Sequence, residues 1–240
     1  MTFGERKAGW SRHAQSLIDL ALGIIGQCDQ LTTAKGSKDP KVIALALLSR
    51  SLGHFRATFR LLEDGSLVEA RTLTRCIFEN LFLQRGLAES GDAFVTQMAE
   101  DNAKSRQSRG TWVLDLIDER TIDPSHGDGL RRTMDVLRST YPKPRSINYI
   151  EITRNGPLSS DAAHPSLEAL SRHIAKEPDG SLFLSIVPTP SEKDLLDAME
   201  WACQAFMGVI LAANQIAGQV EADRKLSGLF DEFNSLADAS

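Results

Sequence analysis

Cysteine is scarce in this chain, with three residues among 240. Cys28, Cys76 and Cys203 lie far apart, and none belongs to a C-x-x-C pair, so neither a disulfide framework nor a zinc knuckle is expected. We interpret all three as reduced thiols, which predicts a cytoplasmic protein. The N-terminal residues lack an uninterrupted apolar segment followed by a small-residue cleavage site, so no signal peptide is expected.

The familiar cofactor-binding motifs are also missing. The sequence contains no Walker loop, no dinucleotide fingerprint and no G-x-S-x-G elbow, so no cofactor is expected. Residues 123–128 resemble a metal loop but contain only two carboxylates, and turn and capping chemistry explains them; we expect no metal site. The formal net charge of −5 argues against nucleic-acid binding through the overall field, while leaving a local basic patch open.

One long stretch, residues 201–220, contains no charge and is about as long as a bilayer-spanning helix. It carries four amide side chains, which make it too polar for lipid: Gln204, Asn214, Gln215 and Gln219. We therefore predict the central helix of a bundle and no membrane association.

Helical periodicity dominates the rest of the chain. It predicts helices at about 11–30, 40–63, 66–88, 92–118, 128–140, 165–176, 191–220 and 223–236. The start signals are Asp39 followed by Pro40, and Ser66 and Ser191, each with an acidic residue three positions later. Asp64-Gly65 and Gly91 are the stop signals.

Two segments depart from the helical pattern. Residues 141–157 are rich in Pro, Asn and Gly, which indicates irregular structure. Pro178-Asp179-Gly180 predicts a turn and residues 181–187 a short strand, together an extended flap near 178–190. The fold class is all-α: a single-domain helical bundle, residues 1–240, of about six to eight helices. Its core spans about 39–220, and a C-terminal helix at 221–240 packs on the bundle or on a second subunit, which keeps a homodimer open.

The most informative helix, predicted at 66–88, places charge among apolar side chains. At 100° per residue, one side holds three charged residues interleaved with Val68, Phe78 and Phe82: Arg71, Arg75 and Glu79. The opposite side, predicted to face solvent, holds Glu69, Asn80 and Gln84. Buried charge must be paired, so we expect an inward polar cluster in which loss of Glu79 costs about 3–5 kcal/mol.

A second pattern, S-x-x-x-H-P-S, offers partners for that cluster. Ser160, Asp161 and His164 precede Pro165 on irregular backbone, and we expect this segment to pack against Arg75. In a functional interpretation, Arg71 or Arg75 holds an anion with Ser160 and Asp161 as ligand contacts. Glu79 and His164 then act as acid and base.

A structural interpretation of the same residues stays open. In it, Arg75 and Glu79 form an intrahelical ion pair, and His164 is a helix-entry residue. Three further groups are weaker candidates. His54 is interpreted as a satisfied core histidine, and two basic groups are either phosphate contacts or solvated surface residues: Arg106 and Arg109 with Trp112, and the pair Arg131-Arg132.

The helix pattern A-x-x-L-x-R-x-x-x-E (Ala70, Leu73, Arg75, Glu79) and the later S-x-x-x-H-P-S together resemble an uncharacterised bacterial all-helical family of unknown function. The resemblance covers about residues 39–217 and implies a helical bundle without an assigned activity. That family is loosely similar to HEPN domains, some of which are metal-independent ribonucleases with an R-x4-6-H motif. Arg50 and His54 have three residues between them, and Arg154 and His164 have nine, so neither pair fits the motif.

Three functions follow from these patterns. The leading hypothesis is a binding or interaction module with a buried Arg/Glu/His cluster, for which a small anion or a nucleotide is a candidate ligand. The alternatives are a divergent HEPN-like ribonuclease and a small-molecule enzyme of unknown type.

Overall fold

A computed structural model describes residues 1–28, 33–119, 123, 125, 127–147, 173–177, 179–184 and 190–238. Its helices are α1 (Phe3–Gly26), α2 (Pro40–Glu63), α3 (Leu67–Asp118), α4 (Gly127–Thr140), α5 (Glu192–Ala217) and α6 (Val220–Ala237), with a 3-10 turn at Gly36–Lys38. Two short strands, β1 (Ile174–Lys176) and β2 (Leu182–Leu184), pair antiparallel. The all-α prediction is confirmed.

Local capping chemistry explains where these helices begin and end. The Asp39 carboxylate accepts a hydrogen bond from the Lys41 amide, and the Ser191 hydroxyl accepts one from the Asp194 amide, as the sequence predicts. Helix α1 begins earlier than predicted, because Thr2 and Glu5 form a reciprocal capping box. That T-x-x-E pattern was readable in the sequence.

The chain divides into two compact units. The first combines Met1–Glu89 with Ile150–Ser240, and the second is Ser90–Tyr149. Gly91 interrupts α3 with φ 48° and ψ −120°, a backbone conformation that favours glycine, so the predicted break between two helices is confirmed. Since a compact unit need not fold alone, the prediction of a single domain stays a prediction.

In the first unit α5 is the central helix and packs against α1, α2 and α6. Its Phe206 stacks on Phe55 of α2, with ring centroids 4.4 Å apart. Helix α6 lies on α1, where Phe233 meets the buried Trp10 edge to face at 5.3 Å. In this single chain the last helix therefore packs on the bundle, and its packing on a second subunit stays a prediction.

Helix α5 is also the one described helix whose length and composition would allow it to cross a membrane. In this structure, 61% of its most apolar window is buried inside the protein. Its polar Asn214 is buried as well and donates to the Gln219 carbonyl and the Asp223 carboxylate at the turn into α6. The sequence prediction of a central bundle helix is confirmed.

The extended segment is a small hairpin. Glu177 and Ser181 are joined by a backbone hydrogen bond, and Gly180 has φ 88°, which fits the predicted turn. The helix predicted at 165–176 is wrong at its end: Ile174–Lys176 is strand β1, because its backbone pairs with Leu182–Leu184 across the turn. Residues 165–172 and 185–189 lie outside the described part of the chain.

The second unit is built from α3 beyond Gly91 and from α4. Gly110 lets the two helices approach closely, because a Cβ atom there would collide with the buried Met134 side chain. The Gln107 amide donates to the carbonyls of Leu137 and Tyr141, at 3.3 and 3.0 Å. These contacts fix the end of α4 against α3.

Candidate functional site

The inward face of α3 differs from the prediction. The side chains that face the core of the first unit are Leu67, Ala70, Thr74, Ile77, Asn80, Gln84 and Leu87. Asn80 and Gln84 were expected in solvent, yet they are 3% and 0% exposed. Their amides find partners on α2: Asn80 Nδ2 donates to Ser51 Oγ at 2.9 Å, and Gln84 Nε2 to the Ala44 carbonyl at 2.6 Å.

The reason lies in the neighbouring helix. Helix α3 carries apolar side chains all round, with Leu67 and Ile77 on one side and the half-buried Phe78 and Phe82 on the other. Apolar periodicity therefore does not select one face. The hydrogen-bond acceptors on α2 decide which face of α3 is buried, because a buried amide is stable only where it is hydrogen-bonded.

Arg71 remains the most buried charge of the predicted cluster. Its side chain is 13% exposed, and Nη2 lies 3.1 Å from Oδ1 of Asp194 in the first turn of α5. The other oxygen of Asp194 accepts a hydrogen bond from the Ser191 hydroxyl at 2.7 Å. Arg71 thus anchors α3 to the capped N-terminus of α5, where a carboxylate is already favoured.

Arg75 and Glu79 form the intrahelical ion pair of the structural interpretation. Arg75 Nε lies 3.1 Å from Glu79 Oε1, and the two side chains are 27% and 41% exposed. The prediction of a buried pair is therefore wrong. Both residues lie on the side of α3 away from the core residues, so water screens the pair and its contribution to stability is small.

A histidine on the neighbouring helix α2 lies four residues after Arg50. His54 of α2 is half-buried, and its Nδ1 is buried without a hydrogen-bond partner in the described chain, in contrast to the satisfied core histidine we expected. Burial lowers the pKa of His54, and the guanidinium of Arg50 lowers it further. The imidazole is therefore neutral at physiological pH.

Charged residues on both α2 and α3 act on the thiol of Cys76. Burial raises the pKa of its thiol and the Glu79 carboxylate raises it further, while Arg50 and Arg75 oppose this shift. Arg50 on α2 and Arg75 on α3 therefore act on the same thiol. We call Arg50, His54, Arg75, Cys76 and Glu79 the α2–α3 polar cluster.

Beyond Arg50, α2 presents more positive charge to solvent. Arg50, Arg56 and Arg60 are all exposed, and none forms an ion pair with another described residue. Gly53 lies between them and is exposed, and a Cβ atom there would have no described residue's atom within 4 Å. We call Arg50, Gly53, Arg56 and Arg60 the basic stripe.

Sequence reasoning missed this stripe, although a signal was present. Residues 40–62 contain four basic residues and no acidic one, in a chain whose acidic residues otherwise outnumber its basic ones. Apolar periodicity identifies the buried face of α2 and carries no information about the charge of its exposed face.

The partners predicted for Arg75 belong to a part of the chain that the structure does not describe. Ser160, Asp161 and His164 lie outside the described residues, so their expected contact with the Arg75 face stays a prediction. Within the described ranges, no group of three or more His, Cys, Asp and Glu residues could hold a metal ion. Asp123 accepts a hydrogen bond from the Ser125 amide at 2.8 Å, which is turn chemistry.

The fold and these surfaces define an all-α chain with a polar cluster and a basic stripe on adjoining helices. Residues 41–115 match the model of a family of unknown function, DUF5677. The matched stretch contains nearly all of α2 and most of α3, and with them the basic stripe and the A-x-x-L-x-R-x-x-x-E pattern. No curated protein and no solved structure matches the chain.

Proposed function

We propose that this chain is a cytoplasmic binding module that recognises an acidic segment of a partner protein through the basic stripe. The observation that carries the proposal is that Arg50, Arg56 and Arg60 are exposed and form no ion pair with another described residue. Other exposed arginines, such as Arg85 and Arg224, have a carboxylate within 3.1 Å. The stripe places three guanidinium groups without an ion pair to a described residue on a single helix, and guanidinium groups bind carboxylates in bidentate fashion.

Its dimensions suit an extended acidic segment. Arg50 and Arg60 are ten residues apart on one helix, which corresponds to about 15 Å. Several carboxylates along a peptide would span that length. Charge complementarity of this kind contributes mainly to specificity and to the rate of association.

Nucleic acid is the less favourable polyanion for this surface. The net charge of −5 repels a phosphate backbone at long range. The stripe also contains no exposed aromatic side chain on which a base would stack. An acidic protein segment requires neither a strongly basic field nor a stacking platform.

Fluorescence anisotropy of a labelled Glu/Ser peptide tests the proposal. The test variant replaces Arg50, Arg56 and Arg60 by Gln, and the matched control replaces Arg85, Arg145 and Arg224, which are exposed but ion-paired. Both variants change the net charge by the same amount. We expect the stripe variant to bind about tenfold or more weakly at low salt and the control to bind like the wild type.

Three outcomes would contradict the proposal. Equal weakening in both variants would mean that only net charge matters. Absence of peptide binding by the wild-type chain at low ionic strength would remove the acidic partner. Tighter binding of single-stranded RNA than of the peptide would make nucleic acid the better ligand.

A ribonuclease stays as a second candidate, now with His54 and Arg50 in place of Arg75, Glu79 and His164, although this pair does not have the HEPN motif spacing. A neutral, half-buried imidazole beside the guanidinium of Arg50 combines a proton acceptor with a group that can stabilise charge on a phosphate. Incubation of a mixed RNA pool with wild type, His54→Gln and Arg50→Gln tests it. Cleavage lost in both variants supports a nuclease, and cleavage that is absent or unchanged removes this candidate.

A further inference from the structure

The second unit carries a cleft that the basic stripe does not involve. It has a volume of about 500 Å³ and lies between α3 and the end of α4. Its lining includes Lys104, Ser108, Thr111, Trp112, Asp115 and Arg138. Its size is in the range of small-molecule sites.

Trp112 is the unusual residue of this cleft. Its side chain is 63% exposed, although tryptophan is on average among the more buried residues. No described aromatic ring stacks on the indole. The chain therefore presents a rigid, flat apolar surface to whatever enters the cleft.

Two cations accompany the indole. Lys104 and Arg138 are exposed, and neither forms an ion pair with a described residue. Arg138 Nη2 donates to the Thr111 hydroxyl at 3.3 Å, a contact that holds the guanidinium at the cleft and leaves its charge unneutralised. The cleft thus combines one stacking surface with two positive charges and one carboxylate, that of Asp115.

The support beneath the cleft is well fixed. Gln107 ties α3 to the carbonyls of Leu137 and Tyr141, and Gly110 keeps the helices close at Met134. The separation of Trp112 on α3 from Arg138 on α4 is therefore set by packing, which favours preorganised binding over adjustment on contact.

We propose that this cleft binds a free nucleotide. The base stacks on Trp112, Lys104 and Arg138 contact the phosphate, and the Asp115 carboxylate and Ser108 hydroxyl offer polar contacts to the base edge or sugar. A planar ring joined to an anion satisfies both features of the cleft, whereas inorganic phosphate would leave the indole uncovered. This inference is independent of the basic stripe.

Calorimetric titration of the full chain with AMP, adenosine and inorganic phosphate tests the assignment. We expect AMP to bind more tightly than either fragment and its affinity to fall with added salt. Trp112→Leu should weaken AMP binding about tenfold or more through loss of stacking. In a Lys104→Gln/Arg138→Gln variant, AMP should bind no better than adenosine.

Arg109→Gln is the matched control, because Arg109 is an exposed cation on the same helix that does not line the cleft. It should bind AMP like the wild type, and circular dichroism should show all variants folded. Equal loss in Arg109→Gln would overturn the proposal, as would unchanged binding in Trp112→Leu or no binding of AMP at millimolar concentration. Tighter binding of a single-stranded oligonucleotide than of AMP would overturn the choice of a free nucleotide.

Discussion

Asn80 of α3 and Ser51 of α2 form a buried hydrogen bond, with Asn80 Nδ2 donating to Ser51 Oγ at 2.9 Å. The same hydroxyl donates to the Leu47 carbonyl at 2.8 Å, so a short polar chain crosses the helix interface. Such a chain fixes the register of α3 against α2, because a shift of either helix would leave buried polar groups without partners.

Asn80→Ala should therefore destabilise the chain by about 1–3 kcal/mol, through loss of a buried partner and the small cavity left behind. Urea unfolding followed by circular dichroism measures the change. Ser51→Ala and the double variant complete a cycle. Additive single effects would show that the two side chains are not coupled.

For Gln84, in contrast to Asn80, we expect that removing the amide changes the stability of the chain little. Its Nε2 donates to the Ala44 carbonyl, but its Oε1 is buried without a partner in the described chain. Gln84→Met keeps the length of the side chain and removes the unsatisfied oxygen, so we expect stability to change by less than about 1 kcal/mol in either direction. A loss as large as that of Asn80→Ala would mean that both amide atoms are satisfied.

These two residues show where sequence reasoning succeeds and where it stops. Caps and breaks such as Asp39 and Gly91 were predictable, because their chemistry involves only neighbouring residues. The inward face of α3 was not, because Asn80 and Gln84 are accommodated by acceptors 29 and 40 residues away in the chain. The basic stripe was predictable from the absence of acidic residues in 40–62, but apolar periodicity alone does not reveal it. Ser160, Asp161 and His164 lie outside the described residues.

The Arg75–Glu79 pair should contribute little to the stability of the chain. Since both side chains are partly exposed, Glu79→Ala should cost only about 0.5 kcal/mol and not the several kcal/mol expected of a buried pair. The melting temperature should stay within about 2 °C of the wild type. Arg71→Ala, which breaks the less exposed contact with Asp194, should cost clearly more. Equal losses would contradict this ranking.

His54 should make the chain less stable in mild acid. Its pKa is lowered in the folded chain from the ordinary value of 6.5, because burial and Arg50 disfavour the imidazolium. Below that value the unfolded chain binds more protons, so this contribution to stability is present at neutral pH and is lost as the pH falls. The trend does not require titration of any group other than His54.

Melting temperatures of wild type and His54→Gln at about pH 7.5 and about pH 5 measure that contribution. The wild type should lose more stability than the variant between the two conditions. The difference should be small, because the side chain is only partly buried. Parallel losses in both proteins would assign the acid sensitivity to other groups.

Helix α6 should be an integral part of the first unit. Phe233 packs on Trp10, and His13 of α1, whose side chain is fully buried, lies 3.1 Å from the Glu232 carboxylate. Removing residues 220–240 would expose Trp10 and the surface of α1 on which α6 packs. We expect self-association by light scattering and a red shift of tryptophan emission, whereas unchanged behaviour would show that α6 is loosely attached.

Two point variants within α6 distinguish the contribution of buried side chains from that of helix propensity. Leu226 is 2% exposed and belongs to the core, so Leu226→Ala should cost about 2–5 kcal/mol through lost burial and a cavity. Phe230 is 37% exposed on the same helix, and Phe230→Ala should cost less than about 1 kcal/mol although it removes more atoms. Urea unfolding measures both. Similar losses for the two variants would mean that helix propensity governs α6; a large difference would show that its stability comes from the surface it buries against α1 and α5.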